Sequence, residues 1–420
     1  MILSSSKPTL WAGMGIALIA LVIGLGAGFK TGLNAPLVSD ARQFMNVAES
    51  LASGNAYVDK GTFWPDQPSM QRLPAWPLLM ATGIKLLPFA PPDAVARTVC
   101  LVLNATAAVL LFMLGRHLTG SILPGLIAGL AYAIHPTGLY FAINGLSEML
   151  FLVLVCGGIL LLLKTHMVHR LSGALLLGCA CLARANFVLA LPIAIAVATT
   201  AALAGRKIPL RANLTVLLLG FALFCLPSAL WLARNHHVSG RFPLFSTLGG
   251  QTLYGANNSV TANDLGFWGY WVFPNAVPGE RPLAELAQTM GEAEVDQYYV
   301  TRGRAYIRDH ALAMPRLLLG KLIRGYVPMP WKPSLGAYAV AGYRWLLYLG
   351  AAIGLCVGWR QLSSSYRTLW MSMLLTNLVT VLLFYGSTRF SFAFEPFLLP
   401  FFGIGAVHLL GRWFPRVQGA

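Results

Sequence analysis

The sequence predicts an all-α polytopic membrane protein, with about ten membrane-crossing helices and two large loops on the non-cytoplasmic side. Three observations carry that reading: an apolar composition, the recurrence of long apolar runs, and a one-sided distribution of charge. Of the 420 residues 57% are hydrophobic and only 10% are charged, against about 25% charged in soluble domains. About 20 apolar residues are enough to cross the hydrocarbon core of a bilayer, and runs near that length recur along the chain.

The first run, 9–29, follows Lys7 and precedes no Ala-x-Ala cleavage site, so it reads as an uncleaved first helix. A polar stretch from Leu37 to Pro77 comes next, with Asp40 near its start and Arg72-Leu73-Pro74 near its end. Residues 73–89 are apolar but short and broken by prolines, which predicts a re-entrant or surface-lying segment. Crossings are expected near 97–115, 121–140, 146–163, 171–184, 186–204, 212–232, 338–358, 368–385 and 393–411. A second outer region runs from Arg234 to Ala337. Within it, 283–310 is expected to be polar helix and 311–324 an interfacial helix, with Leu312, Leu318, Leu319, Leu322 and Ile323 opposite Arg316, Lys321 and Arg324. The resulting organisation is 1–232 with a first outer loop at 30–96, the loop region 233–337, and C-terminal crossings in 338–420.

Charge tests this layout. With a cytoplasmic N-terminus, the inner loops and tails hold Lys7, Arg116, Lys164, Arg170, Arg206, Lys207, Arg211, Arg360, Arg367, Arg412 and Arg416, and no Asp or Glu. All 14 acidic residues then fall on or near the outer side, as the bias of Lys and Arg to cytoplasmic loops requires. The same distribution explains the net charge of +16 without a nucleic-acid partner. The six cysteines sit in apolar runs and form no CxxC pair, which predicts neither disulfides nor a thiol site.

Several polar residues lie where apolar sequence surrounds them. Asp40 begins a helical pattern, as an N-cap or as a general base taking a proton from a hydroxyl nucleophile. Arg184 falls at membrane depth, where a charge either snorkels to the interface or meets a partner such as a phosphate. Arg389 lies in the last outer turn, with Glu395 as a candidate ion-pair partner. Glu148 opens a helix, well placed for the helix dipole or for holding a substrate hydroxyl or a cation. Arg72 is either a solvated loop residue or part of a site. His236-His237 lacks the spaced carboxylate a metal site needs.

Ser39-Asp40-Ala41, Arg72-Leu73-Pro74 with Pro77, Ser147-Glu148-Met149-Leu150, Ala183-Arg184, Trp231 to Asn235, Gly250 to Asn258 and Arg389 to Pro396 together resemble the GT-C superfamily of integral membrane glycosyltransferases. The likeness is to the bacterial branch of lipid A aminoarabinose transferases and protein O-mannosyltransferases. It implies inverting transfer of a sugar from a polyprenyl-phosphate-linked donor to a glycolipid, glycan or protein acceptor, at the periplasmic face of the inner membrane. By position it makes Asp40 the catalytic base. Arg72, Glu148, Arg184, Arg389 and Asn257 become substrate-binding residues. Many members follow the first acidic residue with Glu; Ala41 stands here, which leaves the need for a divalent metal open. The rival reading is a polytopic transporter or lipid flippase, whose internal repeats are not evident in the chain.

Overall fold

The computed structural model describes residues 7–195, 214–243 and 245–413. Among them the only strand-like pairing is an isolated bridge between Val58 and Pro68. In chain order the helices are α1 (Lys7–Thr31), α2 (Asp40–Ala52), α3 (Ala75–Leu86), α4 (Pro92–Thr119), α5 (Ile122–Ala133), α6 (Pro136–Ile143), α7 (Glu148–Leu162) and α8 (Met167–Cys181). After a turn of 3-10 helix at Ala185–Leu189 come α9 (Leu214–Ser239), α10 (Gly249–Ala256), α11 (Ser259–Asn263), α12 (Leu283–Thr289) and α13 (Glu292–Asp309). The chain continues with α14 (Met314–Tyr326), α15 (Leu335–Gly358), α16 (Ser364–Leu383), α17 (Thr388–Ser391) and α18 (Leu399–Trp413).

Among the described residues five helices are long and apolar enough to cross a membrane, namely α1, α4, α9, α15 and α16. A sixth span results if α5 and α6 are one crossing bent by 51°. Pro136 explains the bend: it removes a backbone donor, and His135 accepts from Gly138 N to start α6 afresh. Four shorter apolar helices, Glu148–Leu162, Met167–Cys181, Ala185–Ile195 and Glu395–Gly411, coincide with the remaining expected crossings. The second half of the run at 186–204, and Arg206, Lys207, Arg211 and Arg416, lie outside the described residues. The apolar segment 73–89 forms α3, whose 12 residues rise about 18 Å, too little to span.

The first outer loop is tied to both the bundle and the second outer region. Buried Arg97, on α4, donates to the carbonyls of Leu33, Ala35 and Ile143 at 2.7, 2.5 and 2.9 Å, and Asp93 accepts from Leu37 N at 2.9 Å. These bonds fix the entry to α2. Farther along the loop, Trp64 packs with Tyr254, Val272, Leu286, Val295 and Tyr299 in a second small core, and its indole donates to Met290 O at 3.1 Å. Glu292 accepts from Met70 N at 2.8 Å.

The region 283–310 is helical as expected, interrupted at Met290 and Gly291 between α12 and α13. The stretch 311–324, expected as an interfacial helix, is largely helical as α14, but two of its three basic residues do not face out. Leu312 and Leu319 are exposed, whereas Lys321 and Arg324 are buried. Arg324 turns inward because the loop 265–268 offers it three carbonyls, of Trp268, Leu265 and Gly266. Such acceptors are remote in sequence, and an amphipathic pattern cannot reveal them.

Candidate active site

Five segments converge at one end of the bundle: the start of α2, the chain before α3, the start of α7, the turn that follows α8 and the turn that follows α16. Each is held by local chemistry. Ala75 N donates to Leu182 O at 3.2 Å, which joins the Arg72 segment to the Arg184 segment. Gly386 lies so near α14 that an added Cβ would sit 2.1 Å from Lys321 O, so only glycine permits the turn that presents Arg389. Ser387 then caps α17 by accepting from Phe390 N.

Asp40 is the first residue of α2 rather than its cap. Ser39 occupies the cap position with φ 55° and no side-chain capping bond, a backbone region costly for a non-glycine residue. The Asp40 carboxylate is committed elsewhere. Arg72 Nη2 donates to its Oδ1 at 2.6 Å, and Arg389 Nη1 donates to its Oδ2. Arg389 reaches on through Nε to Glu148 Oε1 at 2.5 Å. Arg184 Nη1 donates to that same oxygen at 2.7 Å.

Five residues singled out from the sequence thus form one chain of contacts, Arg72–Asp40–Arg389–Glu148–Arg184. Three guanidinium groups against two carboxylates leave one positive charge in excess. The middle of the network is its most open part: the side chains of Asp40 and Arg389 are 29% and 31% exposed, that of Arg72 12%, and those of Arg184 and Glu148 8% and 1%. Arg184 lies near the rings of Phe151 and Phe390, its guanidinium carbon 5.9 and 5.7 Å from their centroids. It does not snorkel. Glu148 Oε2 and Arg184 Nε are buried without a hydrogen-bond partner, so the closed end has unused bonding capacity.

Burial by itself would raise the pKa of Asp40, but Arg72 and then Arg389 overcome it and hold the carboxyl well below the usual range. For Arg389, burial works against the charge, while Glu148 and Asp40 raise its pKa further. Both groups are ionised at neutral pH.

Three expectations change. Glu395 does not partner Arg389: it accepts from Arg344 Nε at 2.7 Å and from Tyr348 Oη at 2.5 Å. Asn257 stands apart from the network, its Oδ1 accepting from Lys321 Nζ at 2.7 Å and its Nδ2 donating to Leu253 O at 2.7 Å. Gln43 joins the site unannounced, accepting from Arg72 Nε at 2.8 Å. The signal for it was its place one turn after Asp40, on the same helix face.

Among the described residues no group of three or more His, Cys, Asp or Glu is placed to hold a metal. In the network the Arg389 guanidinium bridges the two carboxylates. His236 stacks on Phe242, with centroids 4.0 Å apart.

No protein-family model matches the chain, and no curated protein sequence matches it. Solved structures do. The archaeal oligosaccharyltransferase AglB from Archaeoglobus fulgidus, in complex with an inhibitory peptide and a dolichol-phosphate, superposes over 97% of this chain and 52% of its own, with 14% identity and a TM-score of 0.53. The apo form of the Archaeoglobus fulgidus oligosaccharyltransferase gives 97%, 51%, 13% and 0.58. ArnT from Cupriavidus metallidurans bound to undecaprenyl phosphate aligns over 98% of this chain and 81% of its own, at 15% identity and a TM-score of 0.44. The chain spans about half the length of the oligosaccharyltransferases it matches. It shares its helical fold with the matched half of these oligosaccharyltransferases, so the resemblance drawn from scattered sequence motifs holds at the level of fold.

Proposed function

We propose that the chain is a membrane glycosyltransferase, moving a sugar from a polyprenyl-phosphate-linked donor to an acceptor hydroxyl or phosphate at the non-cytoplasmic face. The observation that carries this reading is the five-residue network with one positive charge in excess and its central Asp40–Arg389 pair partly open. A phosphodiester carries one negative charge, and arginine meets phosphate oxygens with a planar, two-donor fork. Dolichol-phosphate and undecaprenyl phosphate, bound in the oligosaccharyltransferase and in ArnT, are the kind of lipid carrier proposed here.

The reaction is a single displacement with inversion. The acceptor oxygen forms a bond to the anomeric carbon while the bond to the phosphate oxygen breaks, and its electron pair leaves with the polyprenyl phosphate. Asp40 takes the acceptor proton. Arg389 and Arg184 meet the charge that develops on the leaving phosphate, and preorganised cations serve best there. An incoming phosphate competes with Asp40 for Arg389. As that guanidinium turns to the phosphate, Asp40 loses one of the two cations that depress its basicity. Donor binding thereby readies the base.

The test is mass spectrometry of envelope glycolipids and glycoproteins from cells with the gene, without it, and with the Asp40→Asn variant. A sugar-bearing species should disappear in both altered strains. Identical profiles in all three would overturn the proposal.

A further inference from the structure

At the end of the bundle away from Asp40, helices α4, α7, α16 and α18 enclose an apolar groove. Its lining includes Leu118, Ile159, Tyr366, Trp370, Met373 and Phe401. Within that apolar wall the Tyr366 hydroxyl and the Trp370 indole N–H are both buried and without a hydrogen-bond partner, and so is Nε of neighbouring Arg367. Neither ring is loose. Trp370 is held edge-on by Trp359, Phe394 and Phe401, at centroid distances of 5.8, 5.6 and 5.6 Å, and Tyr366 lies 5.7 Å from the ring of His117.

Within a bilayer no water satisfies such groups, and an unmade buried hydrogen bond is unfavourable. No acceptor among the described residues serves them. The surroundings select an acceptor's charge. Arg116, His117 and Arg367 flank the groove; of the carboxylates on the elements that line it, Asp93 and Glu148 open α4 and α7 at the opposite end, and Glu395 is taken up by Arg344. From Asp93 to Leu118 the helix rises about 37 Å.

We infer that this groove binds an anionic glycerophospholipid. One acyl chain lies along the apolar wall, the phosphate takes the Tyr366 O–H beside Arg367, and an ester carbonyl takes the Trp370 N–H. Tyr366 and Trp370 are four residues apart on one face of α16, about 6 Å along its axis, which suits a head group and the ester linkage just beneath it. A polyprenyl phosphate has no ester carbonyl to offer Trp370. The site shares no residue with the Asp40 network and does not depend on the transfer reaction.

Native mass spectrometry of the full chain, released from vesicles holding equal amounts of dioleoyl phosphatidylglycerol and dioleoyl phosphatidylcholine, tests this. The wild type should retain phosphatidylglycerol selectively. Tyr366→Phe removes only a hydroxyl and should weaken that retention about tenfold, the effect of one hydrogen bond to a charged group. Arg367→Gln should weaken it too, as a second variant should the first prove unstable, whereas Arg360→Gln, an exposed cation nearby, should not. Equal retention of the two lipids, unchanged retention in both groove variants, or retention of a polyprenyl phosphate that Tyr366→Phe releases would overturn the assignment.

Discussion

Asp40 is ionised, partly open and shared by two arginines, and these facts set what its substitution should do. Asn keeps the shape and can still accept a hydrogen bond, but it neither takes the acceptor proton nor balances the two guanidiniums. Asp40→Asn should lower transfer by about 10²–10⁴-fold, the usual scale of a general base, with expression and melting temperature near wild type. Wild-type turnover in a transfer assay would leave Asp40 a structural ion-pair partner. Because its pKa lies below the ordinary carboxylate range, protonation of Asp40 should not cut activity between pH 8 and pH 5. An acid limb within that span which vanishes in the Asn variant would contradict the arginine clamp. Arg184→Ala and Arg389→Ala should weaken use of limiting donor, and full activity in both would remove them from the site. The sequence marks these residues because each is a charge set against apolar sequence, where charge is costly without a partner. It does not show who pairs with whom. Glu395, six residues from Arg389, was the near choice, yet Asp40 and Glu148 are the partners across more than two hundred residues.

At the scale of the element, α14 shows what periodicity misses. Its leucines and basic residues alternate as on an interfacial helix, but Lys321 is fully buried, donating to Asn257 and to Leu382 O. Burial lowers its pKa from 10.5 to about 7. Between those two values the unfolded chain binds the proton and the folded chain does not, so stability rises with pH across that window and is lost as pH falls toward 7. The apparent melting temperature should therefore climb from pH 7 to pH 9.5, and Lys321→Met should flatten the climb. An identical slope in the variant would show that other groups set it. The same lysine is what the Asn257 side-chain oxygen meets.

At the scale of the molecule, the carboxylates gather at one end. The Asp40 network, the two outer regions and their shared core lie together, while Arg116, Lys164, Arg170, Arg360 and Arg367 stand on loops and helix ends at the other. Apolar run length made the long spans legible; the short helices were legible chiefly through charge, since removing one crossing would invert every later loop. The positive-inside bias is the reason we propose the non-cytoplasmic side for the network end. In a background without the six native cysteines, Asp66→Cys and Glu285→Cys, both at exposed positions, should react with a membrane-impermeant thiol reagent added to intact cells or spheroplasts. His166→Cys, exposed between α7 and α8, should react only after the membrane is opened. The pair of outcomes matters more than either alone. If His166→Cys were labelled from outside and Asp66→Cys were protected, the whole arrangement would be inverted, and Asp40 and Arg389 would face the cytoplasm, where soluble nucleotide sugars rather than lipid-linked ones would be the natural donors. If all three reacted from outside, α4 to α7 would cross an even number of times in total, which the single long α4, the bent pair α5–α6 and the apolar α7 do not allow without one of them lying in the plane of the membrane.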